Sequence, residues 1–192
     1  SDADDGGKYY VGFSNATVVS GWTRDSDGHA ITSLFDGNGN TKICGTMNTS
    51  TGATFEFDAA EAFIPGAYYM RTADGAGSGY SKRNPKSWTI YASNDKSAWT
   101  QIASVSNSTM IAAVSYTAYK FSFDNASNTA YKYFRLVISA KQGANGSDFD
   151  NLELSEFYMS GTTAPIEISS VDEWNDFCEN VAAGNTYSGK TV

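Results

Sequence analysis

Asp36, Asn38 and Asn40 alternate along the stretch LFDGNGNTKICG (34–45). Oxygen donors at the first, third and fifth positions of a loop are the arrangement that gathers a hard cation such as calcium. The EF-hand version of such a loop requires Gly at its sixth position and Glu at its twelfth. This chain has Thr41 and Met47 there, with no helical pattern on either side. A tight Asp-Gly-Asn turn still brings together a carboxylate, an amide oxygen, a hydroxyl and backbone carbonyls. The stretch therefore reads either as a cation-binding turn or as an Asx turn that satisfies only its own backbone.

Other side chains capable of chemistry lie on polar loops. GWTRDSDGHA (21–30) carries Trp22, which reads as a lid on the core, and His29, which reads as a turn residue or a hydrogen-bonding ligand. It is the single histidine of the chain, so a histidine-centred catalytic site has one candidate. MRTADGAGSGYSKRN (70–84) is long and Gly-rich and holds Arg71, Asp74, Tyr80, Arg83 and Asn84, where Arg71 and Asp74 either face a ligand or satisfy the turn and each other. QGANGSDFDN (142–151) presents Phe149, either as an open ring or as a cap on the core. The chain has no HExxH, GxSxG, Walker or CxxC pattern. Acid pairs exist in Asp148 with Asp150 and Glu153 with Glu156, and a glycosidase needs only two carboxylates. Nothing in the sequence marks either pair as facing across a cleft, and no enzymatic activity is expected.

These residues need elements to hold them. The chain has 192 residues, enough for one domain and a tail. Aromatics make up 14% and charged residues only 18%, which excludes a disordered chain and argues against a helical bundle. Acidic residues outnumber basic ones by 21 to 13, so nucleic acid is not expected as a partner. No apolar run is long enough to cross a membrane as a helix, and membrane insertion is not expected either. The first residues, SDADDGGKYY, lack the apolar core of a signal peptide, and residues 1–8 read as a linker. From residue 9 to 160 short β-branched and aromatic runs alternate with Gly, Asn, Ser and Asp turns. ATFEFD (53–58) and SWTIYAS (87–93) alternate residue by residue; WTQIASV, AYKFSFD, AYKYFRLVISA and LELSEFYMS continue the series. That period predicts an all-β sandwich, with one helical turn near HAITSLF (29–35).

After Gly161 the texture changes. Val171, Trp174, Phe177, Cys178 and Val181 recur at helical spacing, and Ser170 with Glu173 forms a capping box, so a helix is predicted there. Residues 161–192 read as a linker and the truncated start of a following domain. The two cysteines, Cys44 and Cys178, read as two buried free thiols or as a bridge between body and tail.

Several elements together resemble discoidin-like domains, also called coagulation factor V/VIII type C domains, which include the family-32 carbohydrate-binding modules. Asp36-Gly37-Asn38 followed by Thr41 is similar to their DGxxxT element. TFEFD (54–58), RNPKSWTIYASNDKSAWTQI (83–102), YKYFRLVI (131–138) and LELSEFYM (152–159) resemble later strands of the family in the expected order. The resemblance covers residues 9–160 and implies a jelly-roll β-sandwich of about eight strands, galactose-binding-domain-like. It also implies a structural calcium held by Asp36, Asn38, Thr41 and Glu156, with a carbonyl near Ser33.

The function it implies is non-catalytic carbohydrate binding through loops at one end of the sandwich. Arg71 and Asn84 fall near the Arg and Asn that contact sugar in the family, and Phe149 falls near its stacking aromatic; Tyr80 and His29 complete the candidate set. The chain departs from the family at two positions. Ile43 replaces the usual Trp, and Cys44 replaces the His of galactose-binding members, which removes the usual sugar-contacting His. The tail resembles the entry to β-helix regions of bacterial surface proteins. The expectation is a monomeric module of an exported, extracellular or cell-surface protein that binds a host or dietary polysaccharide. The alternative is a structural spacer or protein-adhesion module.

Overall fold

The computed structural model describes residues 11–108, 114–124, 128–143, 151–163 and 167–185. Ten strands and one helix lie among them. They are β1 (Phe13–Ser20), β2 (Trp22–Arg24), β3 (Ile43–Met47), β4 (Ala53–Arg71), β5 (Pro85–Ser93), β6 (Thr100–Val105), β7 (Ala118–Ser122), β8 (Tyr131–Lys141), β9 (Asn151–Leu154), β10 (Glu156–Thr163) and α1 (Val171–Ala182). ATFEFD and SWTIYAS fall wholly within β4 and β5, and the other runs singled out in the sequence coincide with β6, β7, β8 and the pair β9 and β10.

The large antiparallel sheet follows the order β1-β4-β8-β5-β6, with β7 and β10 paired to the second half of β4. A smaller sheet runs β2-β3-β9. Their facing sides enclose the core. Trp22, Ile43, Met47, Leu152 and Leu154 come from the small sheet, and Phe55, Phe57, Trp88, Ile90, Phe134 and Leu136 from the large one. Trp22 is buried in this core as the sequence predicts. Trp88 and Tyr68 bury their polar atoms together: the indole N–H donates to the Tyr68 hydroxyl at 3.0 Å, so the polar tips of two large rings are satisfied.

Two changes of parity shape the fold. In β4 the core residues are Ala53, Phe55, Phe57 and Ala59, then Phe63, Tyr68 and Met70. Odd positions point inward as far as Phe63 and even positions from Tyr68 onward. Because side chains alternate strictly along a strand, the shift requires a break, and the β4–β10 register slips between Ser160, opposite Ala67, and Gly161, opposite Pro65. The closing stretch behaves alike. Leu152 and Leu154 face the core, then Phe157 and Met159 do. The sequence reads LELSEFYM as one closing strand. The structure divides it at Ser155 into β9, which pairs with β3, and β10, which pairs with β4. The chain crosses between sheets at that point and buries Glu153 just before it and Glu156 just after it.

HAITSLF forms two short 3-10 turns, Asp27–His29 and Ile31–Leu34, more than the one helical turn predicted. β10 continues through Gly161 to Thr163. In α1 the Ser170 hydroxyl accepts from the Glu173 N–H at 3.1 Å and the Glu173 carboxylate accepts from the Ser170 N–H at 3.1 Å, the predicted capping box. No residue of α1 is buried. Cys44 and Cys178 are both free; Cys44 is buried and Cys178 is exposed, which corrects the reading of two buried thiols. Among the described residues no helix is long and apolar enough to cross a membrane.

Candidate functional site

The loops between the sheets converge on two neighbouring groups of charged side chains, one on each side of the Ser155 crossover.

The first group centres on Glu153, which is 1% exposed. Its Oε2 accepts from Lys42 Nζ and from Arg83 Nη1, both at 3.3 Å, and its Oε1 accepts from the Gly75 N–H at 3.0 Å. A Cβ on residue 75 would stand 2.5 Å from that oxygen, so only glycine permits the approach. Lys42 also holds Asp74 at 2.6 Å. The hydrogen bond and charge of Lys42 keep the Asp74 carboxyl below its ordinary range. Burial of Glu153 thus fixes the 3-10 turns Asp74–Ser78 and Ser81–Arg83 against the outer face of β3 and β9.

Arg83 then lies over the ring of Tyr80 at 4.3 Å, and that ring is 38% exposed. On the other side of the same loop Ser115 donates to the Asp74 carbonyl at 2.6 Å and accepts from the Gly77 N–H at 2.8 Å. Its neighbour Tyr116 is also 38% exposed and carries the Arg71 guanidinium 5.5 Å from its ring centroid. Two open tyrosines, each with a guanidinium on its ring, therefore flank a Lys–Asp–Glu–Arg network.

The second group centres on Glu156, 6% exposed. Glu156 pairs across the sheet with Arg71 and is hydrogen-bonded to Asp36. Its Oε1 is buried without a hydrogen-bond partner among the described residues. Burial, and after it the Asp36 carboxyl, push the Glu156 carboxyl up to about 8; Arg71 and the Gly37 N–H offset only part of this. The turn that presents Asp36 is closed on itself. Asp36 accepts from the Asn38 N–H at 2.8 Å and from the Thr41 hydroxyl at 2.7 Å, and the Asn38 carbonyl accepts from the Thr41 N–H at 2.9 Å. Gly37 takes a positive φ of 70° at its corner. The Ser155 hydroxyl ties the turn to the crossover by donating to the Gly39 carbonyl at 2.7 Å. Behind it opens a cavity of about 570 Å³ whose lining includes Phe13, Phe35, Asp36, Arg71, Glu156 and Tyr158.

No protein-family model matches the sequence and no curated protein matches it. Solved structures do match. A putative chitobiase fragment from Bacteroides thetaiotaomicron superposes with a TM-score of 0.61 at 15% identity, over 82% of this chain and 95% of that one. The family 32 carbohydrate-binding module of Streptococcus pneumoniae EndoD gives 0.58 at 13% identity, over 80% and 99%. The family 32 module of C. perfringens NanJ, solved in complex with galactose, gives 0.53 at 16% identity, over 79% and 97%. The fold is that of the family 32 carbohydrate-binding modules. The discoidin-like sandwich read from the sequence motifs is thereby established.

Within this discoidin-like fold the candidate residues separate. Asp36, Asn38, Thr41 and Glu156 come together at one end, and Ser33 is buried in the 3-10 turn Ile31–Leu34 just ahead of Asp36. Tyr80 is open as a platform should be. Arg71 pairs with Tyr116 and Glu156, not with Asp74, and its guanidinium lies where a Cβ on Gly39 would be, 1.4 Å from Nη1. Asn84 is 1% exposed, and its backbone N–H and carbonyl bond to Ser81 and Gln142. The sequence reading placed it as an open sugar contact, whereas here its side chain is buried. His29 is half-buried; its Nδ1 lies 2.5 Å from Asp25 Oδ1 and 3.0 Å from Ser26 Oγ. Phe149 lies outside the described residues.

Sequence reasoning missed Tyr116, Lys42 and the central role of Glu153. A tyrosine isolated in a Ser/Thr turn, SYT (115–117), is a signal for Tyr116 of the same kind that marked Tyr80. Lys42 and Glu153 face each other only once β3 and β9 pair, and no local pattern announces that.

Proposed function

We propose that the chain is a non-catalytic carbohydrate-binding module that recognises glycan through the loop end built by Tyr80, Arg83, Lys42, Asp74, Arg71 and Tyr116. The observation that carries this reading is the pair of exposed tyrosines flanking a fixed charged network. Sugar recognition needs an aromatic face for the apolar side of a pyranose and planar polar groups for its hydroxyls. Glu153 holds Lys42 and Arg83 in place before any ligand arrives, so binding orders few side chains. Affinity in such a shallow, open site is on the order of micromolar to millimolar. The discoidin-like fold supports the class of ligand, since solved neighbours are carbohydrate-binding modules. The ligand is a host or dietary polysaccharide, met by an exported protein outside the cell.

The reading includes a structural calcium. Two hydrogen-bonded carboxyls, one with a buried oxygen that has no hydrogen-bond partner among the described residues, form a set of hard donors, and all the donors in reach are oxygens, as calcium prefers. Asp36 and Glu156 would hold the ion, with Asn38, Thr41 and the turn beside Ser33 supplying further oxygens. Bound there, it would neutralise the two carboxylates and pin the 36–41 turn to the crossover. The same pair argues against glycosidase chemistry at this spot. A retaining pair stands about 5 Å apart with the sugar between, whereas these carboxyls touch.

A glycan array on the purified chain in calcium, repeated in chelator, tests the function. A defined hit that weakens at least tenfold in Tyr80→Ala and in Tyr116→Ala, with unchanged melting temperature, supports both class and site. A hit untouched by both variants moves the site elsewhere, the loop bearing Phe149 being next. A blank array at high protein concentration overturns the function in favour of a spacer or protein-adhesion role.

A further inference from the structure

On the outer face of the small sheet a third group of side chains belongs to neither site above. Asp25 follows β2, His29 ends the 3-10 turn Asp27–His29, and Cys44 lies on β3. A carboxylate oxygen, an imidazole nitrogen and a sulfur from these residues all lie within 4.8 Å of one another. We propose that Asp25, His29 and Cys44 form a binding site for a borderline-soft divalent cation, with Zn²⁺ its natural occupant.

Five features of the structure carry this. The donor set is mixed sulfur, nitrogen and oxygen, the combination zinc takes in tetrahedral sites and calcium does not. At zinc bond lengths of about 2.0–2.3 Å, tetrahedral ligand atoms stand roughly 3.4–3.6 Å apart. Rotation of the two rim side chains closes the remaining gap, for Asp25 and His29 keep 35% and 27% of their side-chain surface open. The sulfur also faces the right way. Ile43 and Met47 point into the core, whereas Cys44 stands outside the apolar cluster although it is only 1% exposed. A cysteine serving as a small core residue would face inward.

The groups around it are polar. Asn151 Nδ2 lies 3.5 Å from the sulfur and 3.2 Å from Asp25 Oδ2, and Arg83 Nη1 lies 3.8 Å from the sulfur. Donors aimed at a coordinating sulfur and carboxylate orient those ligands. Finally, the backbone is already set, since the Asp25 N–H donates to the Cys44 carbonyl at 3.0 Å. The fourth position is open to water or to the Ser26 hydroxyl, 3.0 Å from His29 Nδ1. Binding would release the thiol proton to solvent, and the charge of the ion would be met by one carboxylate and one thiolate. The proposal is independent of the glycan reading.

The test titrates the reduced, chelator-washed protein with Co²⁺, which reports a bound thiolate by a charge-transfer absorption, and then displaces it with Zn²⁺. The expected result is one ion per chain, with the absorption retained in Cys178→Ser and in Asp36→Asn and lost in Cys44→Ser. His29→Ala and Asp25→Ala should bind at least tenfold more weakly, with melting curves verifying that each variant is folded. If Cys44→Ser does not fold, the rim variant His29→Ala decides. Absence of thiolate absorption in the parent protein overturns the proposal, as does Co²⁺ affinity that is unchanged in His29→Ala or an absorption that disappears with Cys178→Ser.

Discussion

Glu153 and Glu156 stand three residues apart on either side of one crossover, both buried, yet one is held by two cations and a backbone N–H while the other, beside Arg71, meets a carboxylate. Glu153 accepts from Lys42, Arg83 and a backbone N–H, and both of its oxygens are occupied. Glu156 meets Asp36, keeps one buried oxygen without a partner, and has its carboxyl pushed up to about 8. Burial of a charge is tolerated when the fold supplies the counter-charge, and otherwise the group takes up a proton or calls for an ion. Glu153 acts as a clasp that presents a surface. Glu156 is, on the reading proposed above, half of a cation site.

The contrast can be broken most sharply at Glu153. Glu153→Gln leaves Lys42 and Arg83 facing a neutral amide in a buried place, and should cost about 3 kcal/mol of stability, read as a lower urea midpoint. It should also release Arg83 from Tyr80 and weaken glycan binding. A loss well under about 1 kcal/mol would mean that the clasp is screened by solvent like a surface pair.

Glu156→Gln should behave differently. In chelator it removes an uncompensated buried acid and should change stability by less than about 1 kcal/mol in either direction. In the parent protein, calcium at a hundred times its dissociation constant should stabilise by about 2.7 kcal/mol, and this gain should vanish in the variant. A calcium shift that persists in Glu156→Gln would place the ion elsewhere.

The pH profile sharpens the same point. The Glu156 carboxyl titrates higher in the folded chain, at about 8, than its ordinary value of 4.5, so the native state binds more protons between those values. Its contribution is fully present below about pH 4.5 and is lost as pH rises through about 8. Melting measured in chelator should therefore show a downward drift over that window that is absent in Glu156→Gln. With calcium bound the drift should reverse, since the ion favours the ionised form.

Much of the sandwich was legible because alternation is a local signal: Phe55 and Phe57, Trp88 and Ile90, Leu136 and Ile138 each announce an inward face without any partner. The same rule, applied across LELSEFYM, already held the crossover, since Leu154 and Phe157 cannot share a face of one unbroken strand. The capping box at Ser170 was legible for a similar reason, its two halves being three residues apart. The site was less so. Asp36, Asn38 and Thr41 are local and were found; Glu156 came only with the resemblance. Arg71 was named, but its partner Tyr116 was not, being 45 positions away in sequence. The burial of Asn84 was not legible, because a loop asparagine looks open until the chain near Gln142 bonds to it. Ile43 beside Cys44 suggested an apolar setting for the thiol, whereas neighbours on a strand face opposite ways. The sulfur lies instead among Asp25, Asn151 and Arg83, and burial followed by the two nearby carboxylates pushes the thiol up to about 12.

The 19-residue strand β4 is hydrogen-bonded to β1 and β8 in its first half and to β7 and β10 in its second. Its Arg71 terminus opens directly onto the loop end. No half of the sheet can then detach alone, because opening either one strips the pairing from a strand that the other shares. In amide exchange, residues from Phe55 to Met70 should empty with a single free energy near that of global unfolding, while β6, held on one side by β5, exchanges sooner. A pull transmitted through the chain beyond β10 would load β4 along its length, so the fold would resist as one mechanical unit and then yield all at once.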